Sequence, residues 1–416
     1  MGAAQMLNAD GKPEERARIP EWAAALDEIV AKSQERLIGI RRHLHQHPEL
    51  SAAEQETTRY LSGLIEELDL EVRTGPRDRG LIIDSRPPAD LRRVAVRGDI
   101  DALPIQDQKE VSYKSQNAGV MHACGHDAHS ACIIGVIRAL AELQKNELIP
   151  WPVHWRAILQ PSEEIASGAK EMISIGALTG VEAIFALHLE PAKPTGVIRV
   201  KNGTFTASCD EFEVHVTGRG GHGARPHETI DPIAASAQLI TAIYQMLPRK
   251  MNPQVPVVAS VGEISAGHSP NVIPEKAVLK GTIRALSEKA RTSAKETLED
   301  IVSGIARLTG CRMETSFAYG CAGVVNDPDL TDIIRSASHT IPEGIDIEEM
   351  DNASMGGEDF AEYVQHIPGS MFRLGCQSAS GCSTLHTPEF DLDERAIGIG
   401  VRILTRALIL CSAPAS

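Results

Sequence analysis

The chain has 416 residues, of which 42% are hydrophobic and 23% are charged, and its formal net charge is −15. This length exceeds the size at which one hydrophobic core stops growing, so two domains are expected. The acidic balance argues against a nucleic-acid partner, because binding to phosphates requires a basic surface. The sequence contains no run of about 18 apolar residues, so we expect no membrane span and no membrane partner.

Residues 1 to about 20 are predicted to form a polar leader, since they lack the apolar stretch of a signal peptide. The eight cysteines show no CxxC pair and no paired spacing. In a cytosolic chain this pattern is typical of free thiols, of which one could be functional. We therefore expect a cytoplasmic protein.

The N-terminal half alternates predicted strands with predicted helices. The strands are RRVAVRGD (92–99), VHWRAILQ (153–160) and EAIFALHL (182–189), and the helices lie at 21–46, 52–67, 130–143 and 167–178. This alternation predicts an α/β fold with a mostly parallel sheet covered on both faces. Ligands of such sheets bind outside the carboxyl ends of the strands. Polar clusters follow the predicted strands directly, so a site is expected at that edge.

Between residues 202 and 318 the pattern changes to strand, helix, strand, strand, helix, strand. The helix at 231–247 has Asp231 as a plausible N-cap and Pro232 at its first position, and the helix at 291–310 ends in Gly310. The order of elements is the ferredoxin-like split motif. It predicts an α+β domain at 202–318, inserted into a domain formed by 1–201 and 319–416.

The stretch MHACGHDAH (121–129) carries most of the candidate metal ligands. Cys124 and His126 can reach one centre from a tight turn at Gly125. His122 and His129 flank them and could equally orient a ligand or lie on a helix surface. Taken alone, the Cys-x-His pattern also fits a buried thiol beside a capping histidine.

Four further candidates come from three other segments. Glu163 and Glu164 could divide two tasks, one binding a metal and the other acting as a base, and His188 and His386 are candidates from a third and a fourth segment. Each feature taken alone is more often structural, since paired glutamates commonly start a solvated helix. In combination they predict a metal-dependent hydrolase.

The stretch GRGGHG (218–223) fits the glycine spacing of a dinucleotide-binding loop. That fingerprint requires its third glycine to open a helix, whereas here ARPHETID, which contains a proline, intervenes. We interpret the glycines as shaping a loop that presents His222.

Ordered motifs along almost the whole chain resemble the metallo-aminoacylase and carboxypeptidase family. The similar branch contains N-acyl-amino-acid amidohydrolases, hippurate hydrolases and plant indole-acetic-acid–amino-acid hydrolases. The motifs that carry the resemblance are RRHLHQHPELSAAEQET, RGDIDALP, MHACGHDAH, QPSEE, GGHGARPHETIDP, HSPNVIPEKAVLKGTIR, GGEDFAEY and LHTPEFDLDE.

The resemblance implies a site for two divalent metal ions, manganese or zinc, with cobalt also possible. It places the metal ligands at Cys124, His126, Glu164, His188 and His386. Glu163 matches the general base, which would take a proton from the attacking water and pass it to the leaving amine. Other branches have His-x-Asp where this chain has Asp99 and Asp101. Asp99 therefore need not bind metal, Asp101 is expected to orient a ligand, and the bridging ligand stays open.

In the family the inserted domain is a lid through which chains can associate as a homo-oligomer. His222 matches a lid histidine that reaches the reacting carbonyl, and Asn271 and Arg284 match residues that bind the substrate carboxylate. The implied substrate is a small N-acyl amino acid. Two alternatives remain, a dipeptidase or carboxypeptidase of the same family and a catalytically inactive binding relative, although an intact Glu163 argues against the second.

Overall fold

The computed structural model describes residues 19–86, 92–342, 344–379 and 381–414. A polar leader is predicted for residues 1 to about 20, and residues 1–18 of it lie outside the described residues. The described helices are α1 (Glu21–Gln46), α2 (Gln55–Gly63), α3 (His126–Lys145), α4 (Gly168–Ser174), α5 (Pro232–Lys250), α6 (Glu288–Thr309), α7 (Pro328–His339), α8 (Phe360–Val364) and α9 (Arg395–Cys411). Short 3₁₀ helices lie at Pro76–Asp78 and Pro226–Glu228.

The described part of the chain also contains sixteen strands. They are β1 (Glu71–Thr74), β2 (Leu81–Asp84), β3 (Arg93–Asp99), β4 (His154–Gln160), β5 (Val181–Pro194), β6 (Val197–Val200), β7 (Gly203–Thr204), β8 (Ser208–Thr217), β9 (Gly221–His222), β10 (Val257–Ala266), β11 (Val272–Ile273), β12 (Lys276–Ala285), β13 (Arg312–Cys321), β14 (Val325–Asn326), β15 (Asp346–Glu349) and β16 (Gly369–Gln377).

The larger sheet has eight strands in the order β1-β2-β4-β3-β5-β16-β6-β15. Its centre is parallel, since β3 pairs in parallel with β4 and β5, and β5 pairs in parallel with β16. Antiparallel pairs lie toward both ends, β1 with β2, β2 with β4 and β16 with β6. The sheet is therefore mixed with a parallel centre, and the predicted α/β fold class is confirmed.

Helices cover both faces of this sheet, as the sequence predicts. Successive side chains of a strand point to opposite faces. In β3, Val94 and Val96 join the core formed with α1, α3 and α9, whereas Ala95 joins the core that contains residues of α4 and α8. Because both faces are buried, the strand is apolar at nearly every position, which is typical of parallel sheets.

The smaller sheet is antiparallel and has the order β10-β12-β8-β13. Alternate residues of β8, namely Phe212, Val214 and Val216, pack with α5 and α6 in a core separate from the two cores of the larger sheet. Asp231 caps α5 by accepting hydrogen bonds from the backbone N–H groups of Ile233 and Ala234. The order β8-α5-β10-β12-α6-β13 is that of the predicted ferredoxin-like motif.

The chain limits that we predict for the two domains remain a proposal. β13 continues past residue 318 to Cys321, and β7 pairs with β14 on the far side of the insertion. Among the described helices, none is long and apolar enough to cross a membrane.

Candidate active site

A reversal of strand order creates the crevice in which the candidate residues meet. β4 follows β3 in the chain, and the chain then returns across β3 to form β5 on its other side. Ligand sites of α/β sheets lie at such points, outside the carboxyl ends of the strands. Asp99 ends β3, Glu163 and Glu164 follow β4, and His188 lies in β5.

The turn before α3 brings Cys124 and His126 to this crevice. Gly125 between them has φ +85°, a conformation that side chains with a Cβ rarely adopt. A Cβ atom at this position would lie 2.8 Å from Cδ1 of Leu189. Glycine is thus required both by the backbone of the turn and by its close contact with β5.

The five predicted metal ligands lie together. Their donor atoms form two groups, Cys124–His126–His188 and Cys124–Glu164–His386, within each of which the atoms lie within 4.8 Å of one another. Sγ of Cys124, which belongs to both groups, is 3.5 Å from Nε2 of His188 and 3.3 Å from Nε2 of His386.

Several polar atoms in this cluster are buried without a hydrogen-bond partner among the described residues. These atoms include Nε2 of His126 and Oε1 of Glu164, which are 3.9 Å apart. An unpaired buried polar group costs about 1–3 kcal/mol, so clustered imidazole and carboxylate atoms without hydrogen-bond partners need a compensating charge. A divalent cation would supply it, and the residues present therefore fit a metal centre.

Hydrogen bonds orient two of the histidines toward the cluster. Nδ1 of His126 lies 2.9 Å from the carbonyl oxygen of Asp101, and Nδ1 of His188 lies 2.8 Å from that of Leu189. A ring that donates from Nδ1 keeps the lone pair of Nε2 free for a metal.

Asp101 contacts two of the ligand segments. Its Oδ1 is 3.3 Å from Nδ1 of His126, and its Oδ2 accepts hydrogen bonds from the hydroxyl of Ser51 and from the backbone N–H of Glu164. A carboxylate in this position can fix both ligands relative to each other.

The other histidines of MHACGHDAH have different surroundings. Nδ1 of His129 lies 2.7 Å from Asp99, and its Nε2 accepts a hydrogen bond from the backbone N–H of Leu189. Both ring nitrogens of His129 are therefore engaged within the protein. Both nitrogens of His122 are buried without a hydrogen-bond partner in the described part of the chain, and burial lowers the pKa of His122 to about 4.

Glu163 lies in a cluster of buried carboxyl groups. A carboxylate oxygen of Glu163 lies within 4.8 Å of those of Glu358 and Asp359. Burial, and then the negative charges of Glu358 and Glu164, raise the pKa of Glu163 well above its ordinary value. Burial likewise raises the pKa of Glu164 to about 7. The pKa of Glu164 thus lies near neutral pH, and the pKa of Glu163 lies above its ordinary range.

Sequence reasoning gave no role to Glu358 and Asp359, although they lie in the motif GGEDFAEY. Arg97 of β3 contacts both, at 3.0 Å from Glu358 and 2.7 Å from Asp359, and also pairs with Asp99. A signal existed in the sequence, because an arginine in the middle of the apolar strand RRVAVRGD must find carboxylate partners once it is buried.

A cavity of about 650 Å³ connects the metal-ligand cluster with the smaller sheet. Arg284 of β12 lines it and donates a hydrogen bond to the carbonyl oxygen of Met355. Sequence reasoning missed several other lining residues, which include Phe205, Cys209, Cys321 and Arg373.

The other two predicted lid residues lie outside this cavity. His222 and Asn271 are exposed neighbours where β9 pairs with β11, since the backbone N–H of Gly223 donates to the carbonyl oxygen of Asn271. Nδ1 of His222 accepts a hydrogen bond from the backbone N–H of Ala224, and Oδ1 of Asn271 lies 2.6 Å from the hydroxyl of Ser269. The structure thus brings Arg284, but neither His222 nor Asn271, to the predicted ligands.

The family of the chain follows from comparison with known proteins. A family model described as Peptidase family M20/M25/M40 matches residues 95–409. The chain belongs to this family. It is accordingly an enzyme that hydrolyses amide bonds.

Curated proteins and a solved structure are similar over almost the whole chain. A probable hydrolase from Synechocystis sp. is 38% identical over 375 residues, which is 89% of this chain and 94% of the relative. An N-acetyl-L-cysteine deacetylase from Bacillus subtilis is 36% identical over 368 residues, 88% of this chain and 85% of the relative. The crystal structure of the Bacillus subtilis YXEP protein, described as a dinuclear metal-binding peptidase of the M20 family, superposes with a TM-score of 0.76 at 35% identity and covers 92% of this chain and 99% of its own.

Proposed function

We propose that this protein is a metal-dependent amidohydrolase that cleaves N-acyl amino acids into a carboxylic acid and a free amino acid. One observation carries the proposal. Two groups of metal-ligand side chains share Cys124 at the end of a cavity that also holds Glu163 and Arg284. The similarity to an N-acetyl-L-cysteine deacetylase supports the substrate class.

We assign the metal ligands as Cys124, His126, Glu164, His188 and His386. Their two groups of donor atoms support two divalent ions per chain. Bound there, such ions would polarise an amide carbonyl and lower the pKa of a water molecule. The mixture of thiolate, imidazole and carboxylate suits zinc, and it also accommodates manganese or cobalt.

Glu163 is the proposed general base. It lines the cavity, and its carboxylate Oε2 is 4.0 Å from Nε2 of His126. Because its pKa is raised, the carboxyl group of Glu163 can take a proton from water and hold it until the leaving amine accepts it. Glu358 and Asp359, which Arg97 holds beside it, sustain that raised pKa.

Arg284 is the proposed anchor for the free carboxylate of the substrate. Its guanidinium can offer paired N–H donors to a carboxylate, and it lines the same cavity as Glu163. We further propose that residues 202–318 act as a lid, and that its closure, or association with a second copy of the chain, brings His222 and Asn271 to the substrate.

The experiment is a hydrolysis screen of the purified protein after reconstitution with zinc, manganese or cobalt. The substrates are acetyl-, benzoyl-, long-chain-acyl- and indole-acetyl-amino acids, with simple dipeptides beside them. The proposal expects turnover of N-acyl amino acids and up to two ions per chain by elemental analysis. Turnover of dipeptides alone would favour the carboxypeptidase alternative, and metal-free protein without turnover would indicate an inactive relative.

A further inference from the structure

The residue before the two glutamates, Ser162, has an unusual backbone conformation. Its φ is +56°, in the left-handed region that residues with a Cβ rarely adopt. Ser162 follows β4 closely and is fully buried. Strained positions of this kind persist only where the surrounding contacts hold them, and they are common at functional sites. The contacts of Ser162 therefore show what holds the turn that presents Glu163 and Glu164.

Ser162 is held by the segment that precedes α2 (residues 51–54). Its backbone N–H donates to Oε1 of Glu54 at 2.8 Å, and its hydroxyl donates to the same oxygen at 3.0 Å. The hydroxyl also accepts hydrogen bonds from the backbone N–H of Ala52 and from Nη1 of Arg79, each at 3.0 Å. These hydrogen bonds fix both the backbone and the side chain of Ser162.

Glu54 is in turn fixed by Arg79. Oε2 of Glu54 accepts a hydrogen bond from Nη1 of Arg79 at 3.2 Å, so one carboxylate oxygen binds the turn and the other binds the arginine. Nη2 of Arg79 also donates to Oε2 of Glu171 in α4 at 2.9 Å. Glu54 and Arg79 are both fully buried, so each needs the other as a charge partner. The carboxylate that holds Ser162 thus has a fixed position of its own.

The segment that precedes α2 also holds the other side of Glu163. The hydroxyl of Ser51 donates to Oδ2 of Asp101 at 2.7 Å, and the same oxygen accepts a hydrogen bond from the backbone N–H of Glu164 at 3.0 Å. The segment therefore binds the chain immediately before Glu163, at Ser162, and immediately after it, through Asp101. Glu163 lies between two fixed points of the backbone.

We propose that Glu54 is a positioning residue for the general base. Through Ser162 it holds the turn in its left-handed conformation, and this conformation sets where the carboxylate of Glu163 lies relative to the predicted metal ligands. In this arrangement Oε2 of Glu163 is 4.0 Å from Nε2 of His126. The inference rests on the proposed function, because it takes Glu163 as the base, and it gives Glu54 no contact with substrate or metal.

The kinetics of Glu54→Gln, reconstituted with zinc, test the proposal. The amide keeps the length of the side chain and an oxygen that can accept from Ser162, but it loses the charge that faces Arg79. Displacement of a catalytic group by about 1 Å can cost ~10²-fold, so we expect kcat to fall by roughly 10- to 100-fold. KM and metal content should change little. A normal kcat, or a fall in kcat that only follows a loss of metal, would overturn the proposal.

Glu171→Gln is the matched control. Glu171 pairs with the same arginine as Glu54, but it does so from α4 and outside the turn. This variant should lower the midpoint of urea denaturation and keep kcat. An equal fall in kcat in both variants would overturn the proposal, since the charge balance of Arg79 would then matter more than the hold on Ser162.

Two variants of Ser162 separate the backbone conformation from the hydroxyl group. Ser162→Ala removes the hydroxyl and leaves a Cβ in the left-handed region, whereas Ser162→Gly removes the hydroxyl and makes this conformation accessible without strain. If the held conformation positions Glu163, kcat should fall further in Ser162→Ala than in Ser162→Gly. Equal kcat values for the two variants would contradict the role given to the conformation.

Hydrogen exchange follows the turn without any substrate. The carbonyl oxygen of Ser162 accepts hydrogen bonds from the backbone N–H groups of Ser167 and Gly168. In Glu54→Gln, amide protons of residues 161–168 should exchange at least roughly 10-fold faster than in the wild type, because the turn opens more often. Unchanged exchange would overturn the proposal. If the wild type hydrolyses no N-acyl amino acid, the proposed function fails, and exchange still decides whether Glu54 holds the turn.

Discussion

Glu163 and Glu164 are adjacent in the chain, but their carboxylates have different neighbours. Both lie near Nε2 of His126, at 3.9 Å for Oε1 of Glu164 and 4.0 Å for Oε2 of Glu163, but Oε1 of Glu164 also lies 3.6 Å from Nε2 of the predicted ligand His386. Glu163 also groups with Glu358 and Asp359, which are not among the predicted ligands. This difference supports a division between a base and a ligand.

Glu163→Gln should therefore fold, keep its metal and lose turnover. The loss expected from removing a general base is at least ~10²-fold. Glu164→Gln is the matched variant, and it should instead lower the metal content. Metal analysis and kcat are measured on both proteins, and exchanged phenotypes would exchange the two roles.

Arg284 should distinguish substrates with a free carboxylate from substrates without one, because of the geometry of its guanidinium. A bidentate contact with a carboxylate is geometrically exacting, and lysine offers a point charge in place of the paired donors. Arg284→Lys should thus raise KM for free-acid substrates. Substrates with an amidated carboxyl group should be poor for the wild type, and equal rates on free and amidated substrates would contradict this role.

At the scale of elements, the turn into α3 depends on one glycine. Gly125→Ala should place a Cβ 2.8 Å from Leu189 in a backbone with φ +85°. We expect destabilisation of roughly 1–3 kcal/mol together with a lower metal content, because Cys124 and His126 flank this position. Urea denaturation and elemental analysis measure the two effects.

Gly119→Ala is the control for backbone strain. Gly119 has φ +76°, and a Cβ there meets no atom within 4 Å. This variant should show the strain of a left-handed alanine, about 1 kcal/mol, with normal metal content. Equal loss of metal in both variants would mean that the contact with Leu189 does not position the ligands.

The two-stranded sheet of β9 and β11 carries the predicted catalytic donor His222 outside the cavity. If lid movement brings it to the carbonyl oxygen, His222→Ala should lower kcat by ~10²–10³-fold, with little change in KM or metal content. His227→Ala, which removes an exposed histidine of the same loop, is the control. A near-normal kcat for His222→Ala would show that His222 has no catalytic role.

At the scale of the whole molecule, the buried carboxyl groups make stability depend on pH. In the metal-free protein, burial is the main cause that raises the pKa of Glu164 from 4.5 to about 7. A raised carboxyl pKa gives stability that is fully present below pH 4.5 and is lost as the pH rises toward 7. The difference corresponds to about 3 kcal/mol.

Urea denaturation of metal-free wild type and Glu164→Gln measures this effect together with the change at Glu163, whose pKa the charge of Glu164 raises. The variant should gain stability relative to the wild type between about pH 5 and pH 7, with no further gain above that range. Added metal should reverse the trend for the wild type, because binding requires the deprotonated carboxylate. A difference that is constant with pH would contradict the assignment.

The sequence by itself determined the order and type of the main elements. The apolar runs at 92–99, 153–160 and 182–189 correspond to β3, β4 and β5, and Asp231 and Gly310 mark helix ends as predicted. These features are local, because hydrophobic periodicity and capping depend on residues a few positions apart. The short strands β6, β7, β14 and β15 carry too few residues for a periodic signal.

Only the tertiary structure decided which side chains of each motif face the crevice. Within nine residues, His126 lies with the predicted ligands, His129 bonds Asp99 and Leu189, and His122 has no hydrogen-bond partner among the residues that the structure describes. His126 and His129 lie at the start of α3 and His122 lies in the segment before it, but the packing of β3 and β5 against that helix fixes their roles.

The cluster of carboxyl groups around Glu163 could not be predicted from the sequence either. Arg97 and Asp359 are 262 positions apart and meet because β3 lies at the centre of the larger sheet, beside the segment that precedes α8. Ion pairs between such distant residues depend on the order of strands in the sheet and on where the C-terminal part of the chain packs against it. No local sequence pattern encodes either feature. The position of Arg284 in the cavity, with His222 and Asn271 outside it, likewise follows from how the smaller sheet packs beside the larger one.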